Sequence, residues 1–213
     1  MGQQVTLGRP SHLRKPSSIT VEGNVAEVGE RMAEAGIDIL VNNCGGPSAG
    51  PAHGLSQAAW ANAFEAMALP IFGLTDALLP GMKARGFGRI VTIGSSGLIA
   101  PIPNLALSNG VRGAILGWSK TLAAEVAGAG ITVNVVLPGR IATDRVRELD
   151  EGKAAKTGIT VEEVSAASRA TIPAGRYGDP SEFAAVVAFL TSTRASYVTG
   201  SMMRVDGGMI RSV

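Results

Sequence analysis

With 213 residues, 46% of them hydrophobic and 17% charged, the chain can bury one sizeable core and is too apolar to be a disordered polymer. A net charge of +2, with the arginines scattered, gives no basic patch and argues against a nucleic-acid partner. The single cysteine, Cys44, rules out an internal disulfide and suits a reducing compartment such as the cytoplasm.

Residues 1–17 carry little pattern and are expected to be irregular. Residues 18–21 are partly β-branched and read as a short strand. Val25, Val28, Met32 and Ala35 then recur at helical spacing before the stop signal Gly36. Residues 37–41 are nearly all apolar, as a central parallel strand should be, and run into Asn42-Asn43-Cys44-Gly45-Gly46-Pro47. Ligands of open α/β sheets bind outside the carboxyl ends of the strands. Glycines there let a flat ligand approach the backbone, and asparagine side chains can fix loops or ligand hydroxyls.

Ser56 reads as the N-cap of a helix running through Trp60, Phe64, Met67, Ile71, Leu74 and Leu78 to about Arg85. Pro70 and Pro80 are expected to kink or interrupt it. Residues 89–93 form the next buried strand, which ends in the turn Gly94-Ser95-Ser96-Gly97. A loop with Pro101 and Pro103 leads to a helix over about 105–127, whose first turns carry Ser108 and Arg112. Residues 90–111 lack charge, but their prolines, serines and glycines argue against a membrane span.

Residues 131–137 are another buried strand, closed by Pro138-Gly139. The charged stretch 140–175, with an amphipathic helix near 161–170, is expected to form a lid over the ligand. Pro180-Ser181-Glu182 opens a last helix through Phe183, Val186, Val187, Phe189 and Leu190, and residues 198–205 give a final strand. This alternation predicts a doubly wound, parallel α/β sheet in one domain over 1–213. No metal-ligand spacing is present: His12 and His53 are isolated in loop-like segments.

Several motifs fall in a recognisable order: Asn42-Asn43-Cys44-Gly45, Gly88-Arg89-Ile90-Val91, Ser95, and Asn134 with Pro138-Gly139. Pro173, Gly175, Arg176, Gly178 and Pro180 follow at set spacing, then Val198-Thr199-Gly200-Ser201 and Val205-Asp206-Gly207-Gly208. Together they resemble the short-chain dehydrogenase/reductase family, and within it the 3-oxoacyl-acyl-carrier-protein reductase-like members. The resemblance implies a Rossmann-like sheet, NAD or NADP as cofactor, and a small-molecule carbonyl or alcohol as substrate. It also implies a homo-dimer or tetramer, paired through the helices over 57–85 and 105–127. Asn42, Asn43, Gly45, Pro138, Gly139, Ile141 and Thr143 would line the nicotinamide side, with Arg112 on the ribose hydroxyls.

The family's catalytic tetrad of Asn, Ser, Tyr and Lys is only partly matched. Ser95 takes the serine position, but the tyrosine position falls on Ser108, the lysine position on Arg112 and the asparagine position on Met67. A phenol can be lowered toward neutrality by a nearby cation and exchange a proton, whereas an unactivated serine hydroxyl is far less acidic. Ser95, Ser108 and Arg112 are therefore the catalytic candidates of a variant site. The family's glycine-rich phosphate turn is not found before Asn42, so the fold is expected to be N-terminally truncated and cofactor binding weak. Strand 37–41 is then expected either to form an exposed edge or to have 18–21 shift beside it. The alternative function is a non-catalytic binding or assembly subunit, or a truncated inactive product.

Overall fold

The computed structural model describes residues 3–8, 17–21 and 25–212, the first two segments by their backbone alone. Six strands form one sheet in the order β2-β1-β3-β4-β5-β6. They are β1 (Gln3–Gly8), β2 (Ser17–Val21), β3 (Ile39–Asn43), β4 (Gly88–Ile93), β5 (Ile131–Pro138) and β6 (Met202–Val205). From β3 to β6 all pairings are parallel, with Val41 opposite Val91 and Val91 opposite Asn134. This is the expected Rossmann-like α/β sheet.

The N-terminal edge differs from expectation in two ways. The patternless stretch contains a strand, β1, and that strand lies between β2 and β3, antiparallel to both. The sheet is therefore mixed, and β3 is neither an edge nor the neighbour of β2. The signal was weak because Gln3–Gly8 has two glutamines and a glycine. Its place comes from backbone pairing with the open side of β3, a tertiary demand that local propensity does not encode.

Three helices cover one face: α1 (Val25–Glu34), α3 (Leu69–Arg85) and α4 (Ala106–Val126). On α3 the residues Leu74, Leu78 and Met82 recur at helical spacing and are fully buried against Leu40, Ile90 and Val133. Each such side chain stabilises the fold by roughly 1.5–3 kcal/mol of apolar burial. Pro70 does interrupt the long helix. It sits in the first turn of α3, just after α2 (Gln57–Met67) ends, where its missing N–H leaves no bond unmade. Pro80 stays within α3. The combined stretch Gln57–Arg85 is long and apolar enough to cross a membrane, but its apolar stripe is the one packed on the sheet.

On the other face α7 (Pro180–Thr191) sets Leu190, Phe183 and Val186 against Val91 and Val136. Between β5 and α7 lie α5 (Asp144–Thr157) and α6 (Val161–Ala170). The amphipathic α6 matches expectation, down to a capping box between Thr160 and Glu163 that lowers the Glu163 carboxyl pKa. The charged α5 was not legible. Its buried residues are Asp150 and Ala154, too few for a periodic apolar stripe.

Candidate functional site

The carboxyl ends of β3, β4 and β5 lie side by side, and α4 begins beside them. The loop after β3 is tied to that helix start: Gly50 N–H donates to Asn104 O at 2.8 Å, and Ala106 N–H to Gly50 O at 3.3 Å. Two turns into α4, Arg112 reaches back across both strand ends. Its Nη1 donates to the carbonyls of Ile93 (3.1 Å) and Gly94 (3.3 Å), and its Nη2 to those of Cys44 (3.3 Å) and Gly45 (3.4 Å). Its Nε donates to Ser108 Oγ at 3.4 Å. A guanidinium has five N–H donors, so every donor of Arg112 is engaged within the protein. Among the described residues no carboxylate pairs with it. The result is a fixed positive charge at the ends of two neighbouring strands.

Ser95 has an extended backbone, and its Oγ accepts from Gly97 N–H at 3.1 Å, capping the short turn Ser96–Leu98. Ser108 Oγ accepts from Arg112. Both serines are half-buried, and each keeps its O–H as a donor. Asn109, which the sequence reading did not single out, braces this corner. Its Nδ2 donates to Ile102 O at 2.9 Å, and a methyl group added at Gly97 would meet its Oδ1 at 2.5 Å. Its only sequence signal is its place beside Ser108.

Met67 is buried in the core with Ala63, Ile71, Val111 and Ile115. Tyr177 donates to Asp150 Oδ2 at 2.7 Å, and Tyr197 is fully exposed. Neither tyrosine bonds to Ser95, Ser108 or Arg112.

The expected cofactor residues divide into two groups. Asn42 is buried in the sheet: its Nδ2 meets Thr92 Oγ1 at 3.5 Å, and its Oδ1 has no hydrogen-bond partner. Gly45 is exposed, but its carbonyl is held by Arg112. Asn43 is exposed at the end of β3. At the end of β5, a Cβ on Gly139 would lie 2.5 Å from Asp206 Cα, so only glycine fits beside Pro138. Ile141 pairs with Gly178. Thr143 precedes α5, and its hydroxyl donates to Ile141 O at 3.3 Å, leaving the first turn of α5 without a side-chain cap. The Asp144 carboxylate already occupies that first turn, while the Arg112 charge favours an anionic or electron-rich group at the β3 and β4 ends. A cleft of about 600 Å³ opens between Thr143, Tyr177, α5 and α6.

Asn134, one of the ordered motif residues, has a structural part. Its amide donates to Val198 O at 2.8 Å and accepts from Ser201 N–H at 3.1 Å, stitching β5 to the approach of β6. Beyond it, Arg176 grips Glu182 with 2.7 Å bonds to both carboxylate oxygens, and Asp179 N–H adds a third at 2.7 Å. The Arg176 bonds, followed by the Asp179 N–H, hold the Glu182 carboxyl at about 2.

The family model described as enoyl-(acyl-carrier-protein) reductase matches residues 15–210. The 3-oxoacyl-[acyl-carrier-protein] reductase FabG of Vibrio cholerae is 38% identical over 82% of this chain and 67% of its own length. FabG of Escherichia coli is 38% identical over 90% and 75%. Among solved structures, L-sorbose reductase from Gluconobacter frateurii, complexed with NADPH and L-sorbose, aligns with a TM-score of 0.82 at 32% identity, over 89% of this chain and 73% of that one. YwfH, an NADPH-dependent reductase of bacilysin biosynthesis, aligns with a TM-score of 0.83 at 28% identity, over 89% and 74%. The strand-end serine, the glycine that only fits beside Asp206 and these matches along nearly the whole chain agree: the protein belongs to the short-chain dehydrogenase/reductase family.

Proposed function

We propose that the chain is an NAD(P)-dependent oxidoreductase of small carbonyl or alcohol compounds, working through a variant site that polarises oxygen well and delivers protons poorly. The observation that carries this reading is the Ser95–Ser108–Arg112 cluster, with both serine O–H donors free and all five Arg112 donors engaged. Relatives named for NADPH and for 3-oxoacyl reduction support the cofactor and substrate class.

The residues at the end of β5 fit a nicotinamide cofactor better than those at the end of β3. Thr143 opens onto the cleft beside α5, and Asn43, Pro138, Ile141 and Thr143 would hold the cofactor, with Gly139 packed on Asp206 behind them. Arg112 would offer it charge but no hydrogen bond, so binding is weak. When bound, such a cofactor supplies or takes up the hydride.

The remaining chemistry belongs to this chain. Ser95 and Ser108 donate to the substrate oxygen, and the fixed Arg112 charge stabilises the negative charge that develops on it. The proton that completes an alcohol comes from water, because no phenol stands beside the serines. Reduction therefore proceeds slowly. The protein is cytoplasmic and pairs with a second copy through the apolar groove of about 590 Å³ between α2 and α4, where Trp60, Phe64 and Leu69 are partly or largely exposed.

The test is calorimetric titration of the 213-residue chain with NADPH and NADH, then turnover of a 3-oxoacyl thioester followed by NADPH absorbance. Weak binding with slow turnover is expected, and the double variant Ser108→Tyr/Arg112→Lys should raise kcat about a hundredfold or more, the usual range for an added proton donor. No dinucleotide binding by either protein would overturn the reading. That outcome favours a non-catalytic subunit, which the saturation of Arg112 would also suit.

A further inference from the structure

The helix α5 is exposed along most of its length, and its buried residues are Asp150 and Ala154. The Arg145, Arg147 and Thr157 side chains bond only within the helix or its own turns. Among the described residues, the side-chain bonds from α5 to the rest of the protein are the two made by Asp150. Its Oδ1 accepts from Arg140 Nη1 at 3.3 Å, and its Oδ2 accepts from Tyr177 Oη at 2.7 Å. Arg140 follows β5 and Tyr177 precedes α7, and these two segments are themselves strapped together. Gly178 N–H donates to Arg140 O at 2.9 Å, and Ala142 N–H donates to Gly178 O at 2.8 Å. The Asp150 side chain is only 5% exposed, so water does not replace these partners while the helix is seated.

We infer that Asp150 is a latch that seats α5 on the base formed by the segments after β5 and before α7, with Arg140 and Tyr177 as its two catches. Helix α5 also packs against α6, but with Asp150 and Ala154 as its buried residues that contact gains little from the hydrophobic effect. A buried carboxylate held by a cation and a phenol fixes the helix instead, since a buried charge must stay paired. The strap between Arg140 and Gly178 stays in place when the latch opens, so α5 moves against a rigid base. The inference rests on the reading of 140–175 as a cover for the proposed cofactor rim at Thr143.

Limited trypsinolysis tests the latch without any cofactor, because α5 carries Arg145, Arg147, Lys153 and Lys156. Asp150→Ala should speed cleavage within α5 on the order of tenfold or more, the loss expected for charge-assisted bonds, and Tyr177→Phe by a smaller factor. Asp150→Asn, which can still accept one bond, should fall between Asp150→Ala and wild type. Cleavage after Lys83 or Lys120 should be unchanged. Uniform acceleration across α3, α4 and α5 would show general destabilisation and overturn the latch, as would unchanged α5 cleavage in Asp150→Ala. Adding NADPH to the wild type separates the two proposals. Protection of α5 by NADPH supports the cover, whereas faster α5 cleavage in Asp150→Ala with no NADPH effect upholds the latch and counts against the cofactor reading.

Discussion

Replacing Arg112 by methionine keeps the aliphatic stem and removes all five donors. Four carbonyls and one hydroxyl lose their partner. Only the bond to Ile93 O, at 3.1 Å, has an ordinary length; the rest lie between 3.3 and 3.4 Å, at the long end for N–H···O. Each is therefore worth about 0.5–1 kcal/mol, the lower half of the net range. Water can reach exposed Gly45 and offset part of the loss, and releasing a long side chain returns up to about 2 kcal/mol of entropy. The net destabilisation is about 2 kcal/mol, which lowers Tm by about 4–8 °C in a chain of this size. Arg112→Lys should give a smaller loss: one ammonium has three donors at one point and cannot span both strand ends. Scanning calorimetry of the two variants and wild type measures this. If Arg112→Met melts within about 1 °C of wild type, where a real clamp would give several degrees, the five-bond clamp does not exist in solution. The Proposed site would then have to be rebuilt around a free guanidinium.

The acid side of the stability profile follows from Glu182. Its carboxyl is held at about 2, below its ordinary 4.5, by Arg176 and the Asp179 N–H. A depressed carboxylate stabilises the folded state above its unfolded pKa, and that contribution is lost as pH falls from about 4.5 to about 2. Glu182→Gln should flatten this part of a Tm-against-pH profile and leave the neutral region nearly parallel to wild type; an unchanged acid limb would refute the assignment. Gly139→Ala forces a Cβ to within 2.5 Å of Asp206 Cα, a backbone neighbour that cannot rotate away. Separating β5 from the turn after β6 should cost about 1–3 kcal/mol, the usual range for overpacking, and should weaken any dinucleotide binding at the same rim. Equal urea midpoints for Gly139→Ala and wild type would contradict this packing.

Much of the sheet was legible because its central strands are buried on both faces. Residues 131–137 and 89–93 read as mostly apolar, β-branched runs, and β5 and β4 lie there. Helices with a full apolar stripe, such as α3 and α7, were legible for the same reason. What failed was whatever depends on a partner far along the chain. β1 has only Val5 and Leu7 as an apolar signal and is placed by the edge of β3; α5 has almost no apolar face and is placed by Asp150. The candidate site divides in the same way. Ser95, Ser108 and Arg112 could be found from spacing along one strand and one helix; Arg112 bonds Ser108 and the carbonyl of Gly94, next to Ser95. That Arg112 binds four carbonyls from two strand ends depends on where β3 and β4 stop relative to α4, and that is a property of the assembled sheet. Asn42 was assigned to the ligand from the same motif that placed Gly45, yet its buried side chain faces Thr92 on the neighbouring strand. The residues present were thus determined by the sequence: a serine, a second serine and an arginine where a phenol and a lysine would stand. The use of their hydrogen bonds was decided by tertiary structure, because a donor engages whichever acceptor the folded backbone brings within about 3 Å.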